Sequence, residues 1–106
     1  MKIRELSKMK NGWFIGNFEP NAFRTGDLEA AVKTYKAGDH EEAHFHKIAT
    51  EMTVVVSGEV AMNGKRYGSG KIVIMEPGDV TDFRAVTDAV LAVVKVPGVK
   101  NDKYRA

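Results

Sequence analysis

The sequence predicts an all-β fold, and three observations carry that prediction. Short runs of β-branched and aromatic residues recur along the 106 residues. Turn-forming residues separate the runs. One separator, Asn63-Gly64, is a strong hairpin signal, because a type I′ turn needs positive φ at both central positions. Short strands punctuated in this way build a sandwich or a barrel.

The first predicted strand is Trp13 to Phe18, closed by Pro20-Asn21. Later strands are predicted over Met52 to Ser57, Glu59 to Asn63, Lys71 to Glu76, Val80 to Val86 and Ala89 to Val96. Gly58, Gly68-Ser69-Gly70, Pro77-Gly78-Asp79 and Pro97-Gly98 provide the remaining breaks. Met1 to Lys10 reads as a short helix or an arm. Leu28, Ala31, Val32 and Tyr35 have the i, i+3, i+4, i+7 spacing of an amphipathic helix. Pattern alone therefore makes residues 28–36 helical.

Several strands are apolar on both faces. Val54-Val55-Val56, Ile72-Val73-Ile74-Met75 and Val90-Leu91-Ala92-Val93-Val94 show little alternation. An antiparallel sheet facing water on one side should alternate. The outer face is therefore expected to be covered, by the N-terminal segment or by a second subunit.

Size and composition narrow the function classes. The length fits one domain, residues 1–106 with an arm over 1–11. A chain this short buries one modest core, so a homodimer is expected. The composition, 43% hydrophobic and 28% charged, is ordinary for a globular protein. The net charge is only +2, and Lys33 and Lys36 lie among Asp27, Glu29 and Asp39. No basic face of the kind that binds nucleic acid is expected. No apolar run approaches the roughly 20 residues of a membrane helix. The charged start, Met1-Lys2-Ile3-Arg4-Glu5, does not read as a signal peptide, so a cytoplasmic location is expected. The absence of cysteine excludes disulfides and thiolate metal sites.

The chemistry gathers around the three histidines, His40, His44 and His46. His44 and His46 are two apart and point the same way on a strand. Glu51 follows five residues later. Two imidazoles and a carboxylate suit a divalent metal with open positions: iron, manganese, zinc, nickel or copper. His40, in the polar stretch Asp39-His40-Glu41-Glu42, reads as solvated. Lys95, in an apolar strand, reads as an edge charge that discourages aggregation rather than a pocket cation. Lys33 and Tyr35 share a face and can reach a pocket, although packing for Tyr35 and solvent for Lys33 are the plainer readings.

The spacing Gly38-x5-His44-x-His46-x4-Glu51-x6-Gly58 resembles the first motif of the cupin family at every fixed position. Gly70, an apolar strand and Pro77-Gly78 resemble its second motif. The resemblance implies a small jelly-roll barrel with an interior site, and makes residues 28–36 a strand. It also implies His44, His46 and Glu51 as metal ligands. The family's second motif supplies a further histidine three residues after the Pro-Gly glycine, and here that position is Thr81. Asp82 is next to it, but turns outward unless a bulge intervenes. Tyr35, Thr81 and Asp82 are thus the further candidates for ligand binding.

Three functions fit. The first is a metalloenzyme acting on a small polar metabolite. The second is a metal-free sugar or nucleotide-sugar isomerase or epimerase, with His44 or His46 as base and Tyr35 as its partner. The third is a non-catalytic barrel that binds a small molecule. The family supplies the scaffold and leaves the reaction open.

Overall fold

The computed structural model describes residues 1–106. Ten strands follow one another: β1 (Trp13–Ile15), β2 (Glu29–Tyr35), β3 (His40–His46), β4 (Thr50–Ser57), β5 (Glu59–Met62), β6 (Lys65–Gly68), β7 (Ile72–Met75), β8 (Thr81–Ala85), β9 (Ala89–Val96) and β10 (Lys103–Arg105). They form two five-stranded sheets, β1-β2-β9-β4-β7 and β10-β3-β8-β5-β6. Every pairing between these strands is antiparallel. The chain switches sheets at each connection except β1–β2 and the β5–β6 hairpin. The all-β jelly roll implied by the first motif is the observed fold. No helix is long and apolar enough to cross a membrane.

The hairpin forms as its sequence requires. Asn63 and Gly64 have φ of 52° and 78°, and Met62 pairs with Lys65 across the turn. Gly58, the last glycine of the first motif, has φ of 84°. A Cβ there would lie 2.1 Å from the Asp88 carbonyl oxygen, so both conformation and space demand glycine.

Residues 28–36 are not helical, because β2 runs through them. The apparent helical period arises because both faces of β2 carry apolar residues. Ala31 turns inward beside Val93, and Val32 outward beside Ala92. Of Met1 to Lys10, only Leu6–Lys8 forms a single 3-10 turn, and it buries nothing.

Along the inner face of the first sheet, side chains lie in rows. Val55 and Leu91 are adjacent at one end and meet Val60, Phe83 and Ala85 from the other sheet in the core. At the other end the row is Glu29, Lys95, Glu51. One end of the barrel is packed apolar core; the other is lined with charge.

The outer face of that sheet carries Ala30 and Val32 on β2, Ala92, Val94 and Val96 on β9, Met52, Val54 and Val56 on β4, and Ile72 and Ile74 on β7. Leu6 and Met9 of the arm line a groove with Val32 and Thr34. The arm reaches only that corner, for Val56, Ile72, Ile74 and Val96 stay exposed.

Candidate metal centre

The charged end encloses a chamber of about 530 Å³, lined by residues of both sheets. His44 and His46 enter it from β3 of one sheet and Glu51 from β4 of the other, and one donor atom from each lies within 4.8 Å of the others. Both histidines are buried, at 8% and 4% exposure. Their rings stand nearly perpendicular, 5.8 Å apart.

Backbone carbonyls set the tautomers. His46 Nδ1 is 2.8 Å from the Asp102 carbonyl oxygen, and His44 Nδ1 is 3.1 Å from that of Glu42. A carbonyl can only accept, so each Nδ1 carries the proton and donates. Each Nε2 is left as the nitrogen available to a ligand. His46 Nε2 lies 3.0 Å from Glu51 Oε2. With Nδ1 protonated, these are two acceptors facing each other, and a proton or a cation must sit between them. The donor set therefore fits a divalent cation.

Asp102 is the residue that the sequence did not reveal. Its carboxylate is buried and accepts the backbone N–H groups of Lys47, Ile48 and Ala49. Burial pushes its pKa up, but these three donors and the nearby His46 outweigh that, and the net shift is downward. Asp102 thus fixes the loop between His46 and Glu51 with its side chain, and His46 itself with its main chain. β10, directly after it, pairs with β3. No motif announces this, because the two residues are 56 apart in sequence.

Thr81 takes the place where the family has its fourth ligand. It is buried, lies opposite His44 in the β3–β8 register, and turns its hydroxyl to donate to the Asp82 carbonyl at 2.7 Å. Asp82 itself does not line the chamber. It is exposed, and its carboxylate accepts the Asn63 N–H. His40 is exposed as expected.

Tyr35 both packs and lines the chamber. Its ring lies 4.7 Å from that of Phe83. Burial, reinforced by the charges of Glu41, Glu51 and Asp39, raises its hydroxyl pKa, so the phenol stays protonated at neutral pH. Lys33 also faces the chamber rather than bulk solvent. Burial lowers its pKa, with Glu41 and Glu51 opposing and Lys103 and Lys95 adding to the effect.

Lys95 corrects the expectation of an edge charge. β9 lies at the centre of the first sheet, and the Lys95 side chain is only 13% exposed. It points inward and pairs with Glu29 at 3.2 Å. Glu41 also enters the chamber, because a register irregularity between Glu41 and His44 breaks strict alternation in β3. Burial raises its pKa, but the hydrogen bond and charge of Lys103, with Lys33 and His44, win and lower it.

No protein-family model matches the sequence, and no curated protein does. Solved structures do. A protein with a double-stranded β-helix domain from Klebsiella pneumoniae is 25% identical with a TM-score of 0.70, over 77% of this chain and 72% of that one. DMSP lyase DddQ from Ruegeria pomeroyi is 25% identical with a TM-score of 0.69, over 89% of this chain and 49% of the lyase. Oxalate decarboxylase from Bacillus subtilis, a protein with Mn(II) centres, is 19% identical with a TM-score of 0.62, over 76% of this chain and 24% of the enzyme. This chain thus spans about half of the lyase and about a quarter of the decarboxylase. Fold and inward-facing histidines together define a double-stranded β-helix barrel with an interior His-His-Glu group. That architecture is the barrel fold of the cupins, as the resemblance of the first motif implied.

Proposed function

We propose that this barrel binds one divalent metal ion through His44, His46 and Glu51 and acts as a metalloenzyme on a small polar metabolite. The observation that carries the reading is the convergence of the three donors inside a chamber large enough for a small molecule. The two carbonyl contacts support it, since each leaves an imidazole nitrogen available inward. The Mn(II) centres of the similar decarboxylase support it further. When bound, such an ion supplies Lewis-acid polarisation of a ligand's oxygen. The chain's own residues hold the donors in place, and Tyr35 offers a protonated hydroxyl at the wall. Three protein donors leave coordination positions open for a substrate.

The chain is further proposed to act as a homodimer through the outer face of the first sheet. The central rows of that face carry no charge, so a copy of the same face can cover it without leaving an ion unpaired.

The test is elemental analysis of purified protein after equilibration with manganese, iron, zinc or nickel. Near-stoichiometric metal is expected in the wild type, with affinity at least tenfold weaker in His44→Ala. Thr81→His, which returns a fourth donor beside His44, should tighten binding. Wild-type protein that takes up none of the four ions sinks the reading.

A further inference from the structure

Four lysines line the chamber: Lys10, Lys33, Lys95 and Lys103. Two have carboxylate partners. Lys95 pairs with Glu29 at 3.2 Å and Lys103 with Glu41 at 3.0 Å. Lys10 is exposed at the rim. Lys33 is half-buried and has no carboxylate within ion-pair distance. Its ammonium instead faces two rings, 5.5 Å from the centroid of Trp13 and 5.9 Å from that of Tyr35. Among the carboxylates of the chamber, Glu29 and Glu41 are held by lysines, Glu19 by Arg24, and Glu51 belongs to the donor set. Lys10 aside, which is exposed at the rim, the chamber therefore holds one half-buried cation that its own carboxylates leave without an ion pair.

A half-buried ammonium without a partner is costly, and a bound anion removes that cost. We infer that the chamber binds a small organic carboxylate, with Lys33 as the group that takes its charge and Trp13 and Tyr35 as the walls beside it. A singly charged head group fits better than a phosphate dianion. Glu51, which no lysine or arginine pairs, lines the same space and repels a second negative charge. The inference deepens the proposed function by naming its ligand class. It rests on the chamber as a ligand site, and Lys33 acts whether or not metal is present.

Benzoate and benzamide differ in charge but hardly in shape, which makes them suitable probes. Chelator-treated protein is titrated with each at fixed ionic strength by calorimetry. Trp13, the only tryptophan, provides a fluorescence readout beside Lys33. Benzoate is expected to bind saturably, with a Kd on the order of 1 mM, and benzamide at least tenfold more weakly. Lys33→Met should weaken benzoate about tenfold or more and leave benzamide unchanged, while Lys33→Arg should keep most of the benzoate affinity. Phenyl phosphate should bind more weakly than benzoate. No saturable benzoate binding, equal binding of benzamide, undiminished benzoate binding in a folded Lys33→Met, or tighter binding of phenyl phosphate would each overturn the inference. Failure of metal uptake leaves these titrations untouched, so the two readings fail separately.

Discussion

On β5, β6 and β8 of the second sheet, side chains alternate as the pleat requires. On β8, Thr81, Phe83 and Ala85 are buried while Asp82 and Arg84 face water. On β5 and β6, Val60 and Met62 turn in, and Glu59 and Arg66 pair outside at 3.3 Å. The first sheet does nearly the opposite at its charged end. Glu29, Lys33, Glu51 and Lys95 face the interior, while Val56, Ile72, Ile74 and Val96 are exposed. Away from the chamber the second sheet obeys the rule that polar residues face out, and only at the chamber does it turn polar groups inward, both histidines among them. The other departs from it on both faces, and each departure points to something the isolated chain does not contain. The inner charges call for a ligand, and the outer apolar face calls for a partner.

The largest effect should come from breaking the inner pair. Glu29 and Lys95 are almost wholly enclosed, so Glu29→Met alone strands a buried ammonium. A loss of about 3–5 kcal/mol is expected in chemical denaturation, with most of it restored in Glu29→Met/Lys95→Met. If the double variant were no more stable than the single one, the charges would be structural in some other way, and the contrast between the sheets would weaken.

Next comes the contact that holds the loop between His46 and Glu51 at the site. Asp102→Ala leaves the Lys47, Ile48 and Ala49 donors without their acceptor and should cost about 3 kcal/mol. Its pH dependence sharpens the test. The Asp102 carboxyl is held below its ordinary value, so its contribution is complete above the unfolded value, about 3.9. It is lost as pH falls through the lowered folded value. The gap in stability between wild type and Asp102→Asn should therefore close on acidification, as followed by thermal melting across pH 2–7. A gap that stayed constant would show that the carboxylate's charge is irrelevant.

The smallest effect on the fold should come from the outer face. Ile74 is exposed on the edge strand β7, so Ile74→Glu should change the stability of the barrel by less than about 0.5 kcal/mol. It should nevertheless shift sedimentation equilibrium from a dimer to a monomer, while metal content stays the same. Arg84→Glu on the second sheet should leave the mass unchanged. A wild-type chain that sediments as a monomer at all concentrations would mean that the apolar face has no copy of itself upon it.

The same contrast explains what the sequence made legible. Where alternation holds, as in β8, strand and facing could be read directly, and Asp82 was correctly expected to turn outward. Asn63-Gly64 and the spacing of His44, His46 and Glu51 are local signals, so the hairpin and the donors were legible too. Where both faces of a strand are apolar, alternation vanishes, and β2 imitated a helix. Lys95 was misread because position within a sheet is a property of strand order, which a single strand's residues do not encode. Glu41 entered through a register irregularity, and Asp102 through a contact spanning half the chain. Neither leaves a periodic trace.

The Asp102 clasp also has a consequence in time. A polypeptide emerges from the ribosome N-terminus first. His44, His46 and Glu51 are all made some fifty residues before the carbonyl and carboxylate that hold His46 and its loop. For that interval a nascent chain carries the full set of donor groups with nothing to orient one of its imidazoles. Selective capture of an ion is therefore expected to be a late event, completed when β10 docks along β3, and a chain halted before Asp102 should emerge able to scavenge metals but unable to choose among them.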